Sequence, residues 1–432
     1  MPHGGRGAES DVLARQVAHA KHPVNCRHCR ALLSMHFVDL GAAPASNAYL
    51  SPEDLNRPEQ WFPLRVLVCT QCWLVQTEDF ARHDELFDSD YAYFSSYSQS
   101  WLRHAQAYVQ EVVDRFRLGP QSMVIEVAAN DGYLLQYVRA RDIPCLGIEP
   151  TASTAAAART KGIEVDESFF GRDCARRLLE EGHASDLMVA NNVLAHVPDI
   201  NDFVAGFACL LKPHGVATFE FPHLMRLVER AQFDTVYHEH FSYLSLSTVT
   251  RCFARNGLEV FDVDELSTHG GSLRAYAQRL DCSGRRRESA VDALLEREER
   301  AGMQTTAYYA SFQARAERIK NDLLTFLLRA RYDGKLVAAY GAAAKGNTLL
   351  NFAGVRADLV EFVVDRNPAK QDRFMPGSRI PIVPEERLSQ ARPDYLLLLP
   401  WNLRAELEAQ LEYIGQWGAR FVTAVPSLEI WP

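Results

Sequence analysis

From Met123 onward, short apolar runs alternate with amphipathic segments. The runs "MVIEV" (123–127), "CLGIEP" (145–150), "GIEV" (162–165), "DLMVANNVLAHV" (186–197) and "GVATFEFP" (215–222) have the length and composition of buried strands. Between them lie "TASTAAAART", "GRDCARRLLEEG" and "DINDFVAGFACLLKP", with helical spacing, and a further helical pattern covers Trp101 to Phe116. Strands alternating with helices predict a parallel, doubly wound sheet. A charged, helix-prone stretch, Arg285 to Arg331, reads as one or two helices joining domains. After it the pattern restarts. "LVAAYGAAAKGNTLLNF" is a strand, a glycine-containing turn and a helix, "LVEFVVDRNPAK" is a strand ending in Asp365, and "PDYLLLLPW" is a third buried strand. This is a second, smaller α/β unit.

Length agrees with that division, since 432 residues exceed one ordinary core and suit two or three domains. With 47% hydrophobic and 23% charged residues the composition is globular. A net charge of −9, with only Arg285–Arg287 as a basic run, argues against nucleic acid or anionic membrane as the main partner. The stretch "MPHGGRGAESDVLARQ" has no apolar targeting segment, and "YLLLLP" is far too short to span a bilayer. The expectation is a cytoplasmic protein with no obligate protein partner inferred.

Nine cysteines change the picture of the N-terminal region. Five (Cys145, Cys174, Cys209, Cys252, Cys282) are scattered singly, whereas Cys26-Arg-His-Cys29 and Cys69-Thr-Gln-Cys72 are two CxxC knuckles about forty residues apart. Two such knuckles supply the four thiolates of a closed tetrahedral zinc site. A redox CxxC opens a helix in a thioredoxin-like unit and needs only one pair. Four cysteines leave no open coordination position, so the metal is expected to be structural. His28, inside the first knuckle, is the competing ligand.

The first α/β unit carries the candidate cofactor site, since such sheets bind ligands at their strands' carboxyl ends. The first strand delivers Glu126 and then the turn Ala128-Ala129-Asn130-Asp131-Gly132; the second ends in Glu149-Pro150, 23 residues after Glu126. An acid there suits a ribose diol. The turn lacks the glycines that let a backbone approach a pyrophosphate, and it is polar and acidic. It suits S-adenosylmethionine, which carries an ammonium and a sulfonium, better than NAD. Asn191 and Asn192 in "NNVLAHVPD" fit the same class of site, although Asn130 and Asp131 also suit a simple Asx turn and helix cap. In the second unit, Gly341-Ala-Ala-Ala-Lys345-Gly346 is a degenerate phosphate-binding turn with Lys345 as its cation.

Taken in order, the paired knuckles, "DYAYFSSYS", "EVAANDGYLL", "NNVLAHVPD", "YHEHFSYLS", "HGGSLR" and "YGAAAKGNTLLN" resemble the zinc-containing sugar C-methyltransferases that act on nucleotide-linked keto-deoxysugars. The resemblance covers almost the whole chain. It implies a zinc-binding N-terminal domain (1–85), a central Rossmann-like S-adenosylmethionine methyltransferase domain (86–284) and a C-terminal Rossmann-like α/β domain with a helical linker (285–432). It also implies C3-methylation of a nucleotide-linked 4-keto-deoxysugar, with dTDP as the carrier. The usual family turn resembles "GSNDG", so Ala128 and Ala129 are a departure. Methylation next to a ketone needs a base for the alpha proton and donors for the enolate oxygen. "YHEH" is not HExxH, because His238 and His240 are two apart. In an extended segment they share one face, and Tyr237 and Glu239 the other. The resemblance implies His240 as base, Glu239 as orienting or polarising group, and Tyr237, Tyr91 and His196 as hydrogen-bonding groups; His238 reads as structural. Lys345, Asn347, Arg274 and Asp365 are the expected sugar-nucleotide contacts, although Arg274 also suits a surface ion pair. Two alternatives stay open at this stage: a methyltransferase of different regiochemistry or an O-methyltransferase, and a non-catalytic zinc-finger protein.

Overall fold

The computed structural model describes residues 24–78, 94–282 and 284–432, arranged on three sheets. The N-terminal sheet begins with β1 (Met35–Ala43), β2 (Phe62–Val68) and β3 (Val75–Thr77), antiparallel in that order. Cys69–Cys72 form the turn from β2 to β3. The two knuckles are built alike. Arg30 N donates to Cys26 O at 2.9 Å and Trp73 N to Cys69 O at 2.8 Å. Arg30 and Trp73 both take positive φ, 69° and 64°. All four Sγ atoms lie within 4.8 Å of one another, with Cys26–Cys72 at 3.5 Å and Cys29–Cys69 at 3.4 Å. Zinc–sulfur bonds of about 2.3 Å in a tetrahedron need sulfurs about 3.8 Å apart, so donor type and spacing fit zinc. His28 is not part of the cluster; its Nδ1 meets Asn201 Oδ1 at 2.7 Å.

The central sheet contains β4 (Val124–Val127), β5 (Cys145–Ile148), β6 (Glu164–Asp166), β7 (Ser185–Asn191), β8 (Leu211–Pro222), β10 (Leu258–Leu266) and β11 (Ser272–Arg279). Its order is β10-β11-β8-β7-β4-β5-β6. The five strands expected to form a parallel sheet, β4 to β8, do so, and two strands not read from the sequence, β10 and β11, extend it as a mixed sheet, with β11 antiparallel to both β8 and β10. The turn between β10 and β11 is too short for the crossover that a parallel pair requires. Strand order reverses at β4, which lies between β5 and β7, and the carboxyl end of such a switch-point strand is where sheets of this kind bind ligands. Helices Gln99–Phe116 and Ala152–Thr160 share a core with Val124 of β4, and helix Ile200–Leu210 shares a second core with Ile125. Both faces are covered, which is why β4 reads as a continuous apolar run.

The remaining strand of this region, β9 (Ser242–Tyr243), leaves the central sheet. It pairs with β3, Val75 opposite Tyr243 and Gln76 opposite Ser242, and becomes the fourth strand of the zinc-bearing sheet. The linker is three helices, Ser289–Arg300, Thr306–Tyr309 and Phe312–Tyr332, where one or two were expected; Gly302, at φ 82°, follows the first. Phe312 stacks on Phe37 of β1 at 4.2 Å, so the linker packs on the zinc-bearing sheet. The C-terminal sheet runs Ile382–Val383, Val363–Val364, Val337–Tyr340, Tyr395–Leu398, Arg420–Thr423 and Glu429–Trp431, parallel except for the last strand. No described helix is long and apolar enough to cross a membrane.

β4 runs into a turn where Ala128, Asn130 and Gly132 have φ of 58°, 49° and 74°. Gly132 is dictated by space as well, since a Cβ there would lie 2.3 Å from Ile163 Cδ1. Asparagine tolerates this left-handed conformation, whereas alanine pays about 1–2 kcal/mol for it. Glycine at 128 would remove that strain at an entropic cost of about 0.5–1 kcal/mol. Ala128→Gly is therefore expected to raise the urea midpoint, by about 0.5–1 kcal/mol of stability; an unchanged or lower midpoint contradicts the assignment of strain. Cys69→Ser is expected to leave less than one zinc per chain by metal analysis and to cost about 4 kcal/mol or more. A stable, zinc-free and active Cys69→Ser protein contradicts the structural role of the metal.

Candidate active site

The residues expected to hold S-adenosylmethionine lie at the carboxyl ends of β4, β5 and β7, which are neighbours in the sheet. Glu149, at the end of β5, accepts from Asn130 N (2.9 Å) and Thr151 N (3.0 Å), tying the turn after β4 to the tip of the next strand. A carboxylate has about four acceptor sites, so Glu149 keeps capacity for a ribose diol; Pro150 beside it is half-buried. Asn130 Oδ1 accepts from Ser95 N at 2.9 Å, and Asp131 Oδ2 accepts from Ser96 N at 3.3 Å. Lys161 Nζ lies 3.3 Å from the same Asp131 carboxylate. The turn is thus less acidic than its sequence suggests, because helix Ala152–Thr160 ends beside it in a lysine. Glu126 lies beneath the turn at 1% exposure, and burial holds its carboxyl well above the usual range despite Tyr133 beside it.

Asn191 ends β7 and meets the Tyr133 hydroxyl. Asn192, at φ 54°, places Nδ2 at 3.2 Å from His269 Nε2. Asp131 Oδ1, Asn191 Oδ1 and Asn192 Oδ1 are buried oxygens without a hydrogen-bond partner among the described residues. Buried acceptors at a switch point are what an ammonium and a ribose require, so the residues fit the cofactor. Trp101 borders the same region, stacked on His104 (4.9 Å) and Tyr133 (5.8 Å) and tilted against His269 (5.5 Å).

Arg274 departs from expectation. On β11 it is 3% exposed, pairs with Glu220 Oε2 at 2.8 Å and lies over the Tyr108 ring at 4.3 Å. It is neither a surface ion pair nor a cation awaiting phosphate. Burial alone would raise the Glu220 carboxyl, but His104 and Arg274 outweigh it and hold it at about 2.

The segment "TVYHEH" also departs from its extended reading. His240 N donates to Tyr237 O at 3.0 Å, so residues 237–240 form a tight turn. Tyr237 and His240 consequently meet on one side, with ring centroids 3.9 Å apart. His238 goes the other way, its Nε2 against the carbonyls of Phe62 (3.3 Å) and Pro63 (3.2 Å). His240 Nδ1 is 2.8 Å from Thr235 O. A carbonyl only accepts, so Nδ1 carries the proton and Nε2 presents its lone pair. That lone pair accepts from the Tyr237 hydroxyl at 2.6 Å. His196 packs edge-on against His240 at 4.6 Å and bonds to the Glu239 backbone. Tyr91 lies outside the described residues.

Burial sets the protonation states here. It holds His240 well below the usual imidazole range, helped by His196 and Lys345. His196 is lowered to about 4 by burial, and His269 to about 4 by burial and then Lys345. All three rings are neutral near pH 7. Burial raises Glu239 to about 7, against hydrogen bonds from Asn47.

The C-terminal unit closes over this cluster. Thr348 Oγ1 donates to Val236 O at 2.8 Å, and Trp401 Nε1 to Asp234 Oδ2 at 2.7 Å. Lys345 Nζ lies 5.0 Å from the Trp401 ring centre and 3.4 Å from Asn402 Oδ1, and burial lowers its pKa. Asp365 accepts from Ala342 N and Asn367 N, both at 2.8 Å. Asn347 is buried, with its oxygen bonded to Asn351 at 3.1 Å. Sequence reasoning missed Asn47, Asp234 and Trp401, because each acts across a domain boundary, and Trp101, because its contacts with Tyr133 and His269 join residues far apart in the chain. His269 carried a weak signal, the paired glycines after it: a Cβ on Gly270 would sit 2.6 Å from Trp401.

In the first knuckle Arg27 is turned inward, against protein carbonyls. Arg27 is 6% exposed and donates to Pro198 O (2.9 Å) and Thr77 O (3.1 Å). Residues 26–87 match a zinc binding domain family, 101–263 a methyltransferase domain and 267–426 the C-methyltransferase C-terminal domain. The C-methyltransferase NovU of Streptomyces niveus is 32% identical over 402 residues, covering 93% of this chain and 95% of that protein. Among solved structures, the PH0226 protein of Pyrococcus horikoshii OT3 aligns at 12% identity and a TM-score of 0.34, over 44% of this chain and 95% of that one. A SAM-dependent methyltransferase of Thermotoga maritima aligns at 17% identity and a TM-score of 0.32, over 42% and 94%. The chain belongs to the C-methyltransferase family: it is an S-adenosylmethionine-dependent methyltransferase with a zinc-binding N-terminal domain.

Proposed function

We propose that the enzyme methylates C3 of a nucleotide-linked 4-keto-deoxysugar, with dTDP as the carrier. The observation that carries this reading is the Tyr237–His240 pair. A neutral imidazole, its Nδ1–H fixed on Thr235 O, accepts from a tyrosine hydroxyl at 2.6 Å. Such a pair moves a proton from a weakly acidic carbon. The C3 proton passes to Tyr237 Oη as the tyrosine proton passes to His240 Nε2, leaving an enolate on the sugar. His240 is thus the base, and Tyr237 the atom through which it acts. Bound S-adenosylmethionine supplies the electrophilic methyl carbon.

The other assigned residues have distinct work. Asn130, Asp131, Glu149, Asn191 and Asn192 border the cofactor site, with Ala128, Gly132 and Pro150 shaping it and Glu126 supporting it from below. Lys345 supplies the buried positive charge for an anion, the substrate diphosphate or the enolate oxygen, and His240 and His269 both feel that charge. His196 packs behind His240, and Glu239 faces the sugar. Asn347 and Asp365 shape the nucleotide side. Asp365 keeps acceptor capacity beyond its two backbone bonds.

Incubation with S-adenosylmethionine and dTDP-4-keto-deoxysugars in deuterated water is expected to give deuterium at C3 and then a C-bound methyl. Neither exchange nor methylation, in zinc-replete protein, overturns the substrate reading. His240→Asn is expected to lose both, by about 10²–10⁴-fold, while binding S-adenosylmethionine normally by calorimetry. Tyr237→Phe is expected to lose exchange to a similar degree; retained exchange shows that His240 takes the proton directly.

A further inference from the structure

Glu239 is held from an unexpected direction. The loop 44–50, which follows β1 in the zinc-bearing domain, places Asn47 Nδ2 at 2.9 Å from Glu239 Oε1 and 2.8 Å from Oε2. One amide thus donates to both carboxylate oxygens. The same loop reaches the C-terminal unit through Tyr49, whose hydroxyl donates to Ala342 O at 2.6 Å and lies 3.5 Å from Asn47 Oδ1. Ala342 belongs to the turn that leads into the helix carrying Lys345. One loop of the zinc-bearing unit therefore supplies the hydrogen-bond donor to Glu239 of the central unit and, through Tyr49, also reaches the C-terminal unit.

Chemistry says what that donor does. Glu239 is 1% exposed, and an unpaired carboxylate there would take up a proton. A protonated Glu239 is no longer acceptor-only toward a sugar hydroxyl. The amide of Asn47 cannot ionise, so its support is the same at every working pH. The charged and titratable groups around the pair are few. Tyr237, His240 and His196 lie on the catalytic side; Tyr49 adjoins Asn47, and its hydroxyl feels Lys370 and Asp365 of the C-terminal unit as well as Glu239.

We propose that Asn47 is a positioning residue for the reaction: from the zinc-bearing domain it holds Glu239 as an oriented carboxylate that accepts a hydrogen bond from the sugar. This rests on the reading of Glu239 as a sugar-facing residue. It gives the zinc-bearing domain a part in substrate recognition beyond holding its own fold.

The test compares Asn47→Ala and Asn47→Ser with the full-length, zinc-loaded enzyme. Carbon-13 NMR of glutamate-labelled protein, with Glu239→Gln to assign the resonance, follows the Glu239 carboxyl. Its midpoint is expected near 7 in the wild type, about 1 pH higher in Asn47→Ala, and between the two in Asn47→Ser. In parallel, KM for the keto-sugar nucleotide at pH 7 is expected to rise about tenfold in Asn47→Ala. The increase should shrink toward pH 9, with KM for S-adenosylmethionine unchanged and Asn47→Ser partly restored. An unmoved Glu239 midpoint in both variants overturns the role of Asn47. A moved midpoint with unchanged sugar KM in both overturns the recognition role as well, and it places the failure in the sugar-facing reading of Glu239, not in the Asn47 contact. Zinc content and circular dichroism confirm that either variant is folded; if Asn47→Ala is not, Asn47→Ser carries the same two readouts.

Discussion

The pairing of β3 with β9 is the contact on which the candidate site depends. β3 begins just after the second knuckle, and the four-cysteine cluster ties that knuckle to the first. Gln76 of β3 closes the link, donating to Cys26 Sγ at 3.3 Å and accepting from Arg27 N at 2.9 Å. β9 begins two residues after His240. Thr77 adds a hydroxyl bond to His240 O at 3.2 Å. The turn 237–240 is therefore suspended from a metal-fixed sheet at one end and from the Val236–Thr348 bond at the other. A closed zinc site is rigid and takes no part in chemistry, which suits it to hold a segment whose geometry must stay fixed.

The two Rossmann-like units share a second device. In each, an acid at the end of the second strand accepts from the turn after the first strand and from a backbone N–H two residues beyond itself. Glu149 does this with Asn130 and Thr151, and Asp365 with Ala342 and Asn367. The turn needs an anchor because its backbone leaves regular geometry, through positive φ at Ala128 and Asn130 in the first unit and at Gly341 in the second. The acid that a sequence reading assigns to ribose is thus first a structural part of the turn. It serves a ligand with the lone pairs that remain.

Buried charge is distributed with the same economy. Arg274 and Glu220 neutralise each other, and Glu298 is surrounded by His223 and the N–H groups of Leu246 and Ser247. Lys345 differs: among the described residues it has no carboxylate within ion-pair distance. It touches a tryptophan ring and an amide oxygen, and Asp234 acts on it only at longer range. An ammonium left in such surroundings is costly unless a ligand completes it. Lys345 is thus a buried cation without a carboxylate partner, whereas the ends of β4 and β7 carry buried oxygens, Asp131 Oδ1 and Asn191 Oδ1, with no hydrogen-bond partner among the described residues.

The sequence by itself determined the parts that depend on neighbours along the chain. The knuckles follow from CxxC spacing, β4 to β8 from alternation of apolar runs and helical segments, and the cofactor turn from a strand running into Asn-Asp-Gly. Composition and order of motifs were enough to indicate the family. What only the tertiary structure decided were contacts between residues distant in sequence. The antiparallel placement of β10 and β11 depends on which sheet edge is open, and the burial of Arg274 on a partner in β8. Two residues in "YHEH" that an extended strand would separate are joined because a tight turn brings residues i and i+3 together. Asn47 meets Glu239 across 192 positions, a pairing that no local periodicity encodes. Local pattern specifies elements because backbone geometry repeats; it cannot specify which elements meet, because that is settled by burial of surfaces the chain brings together only when folded.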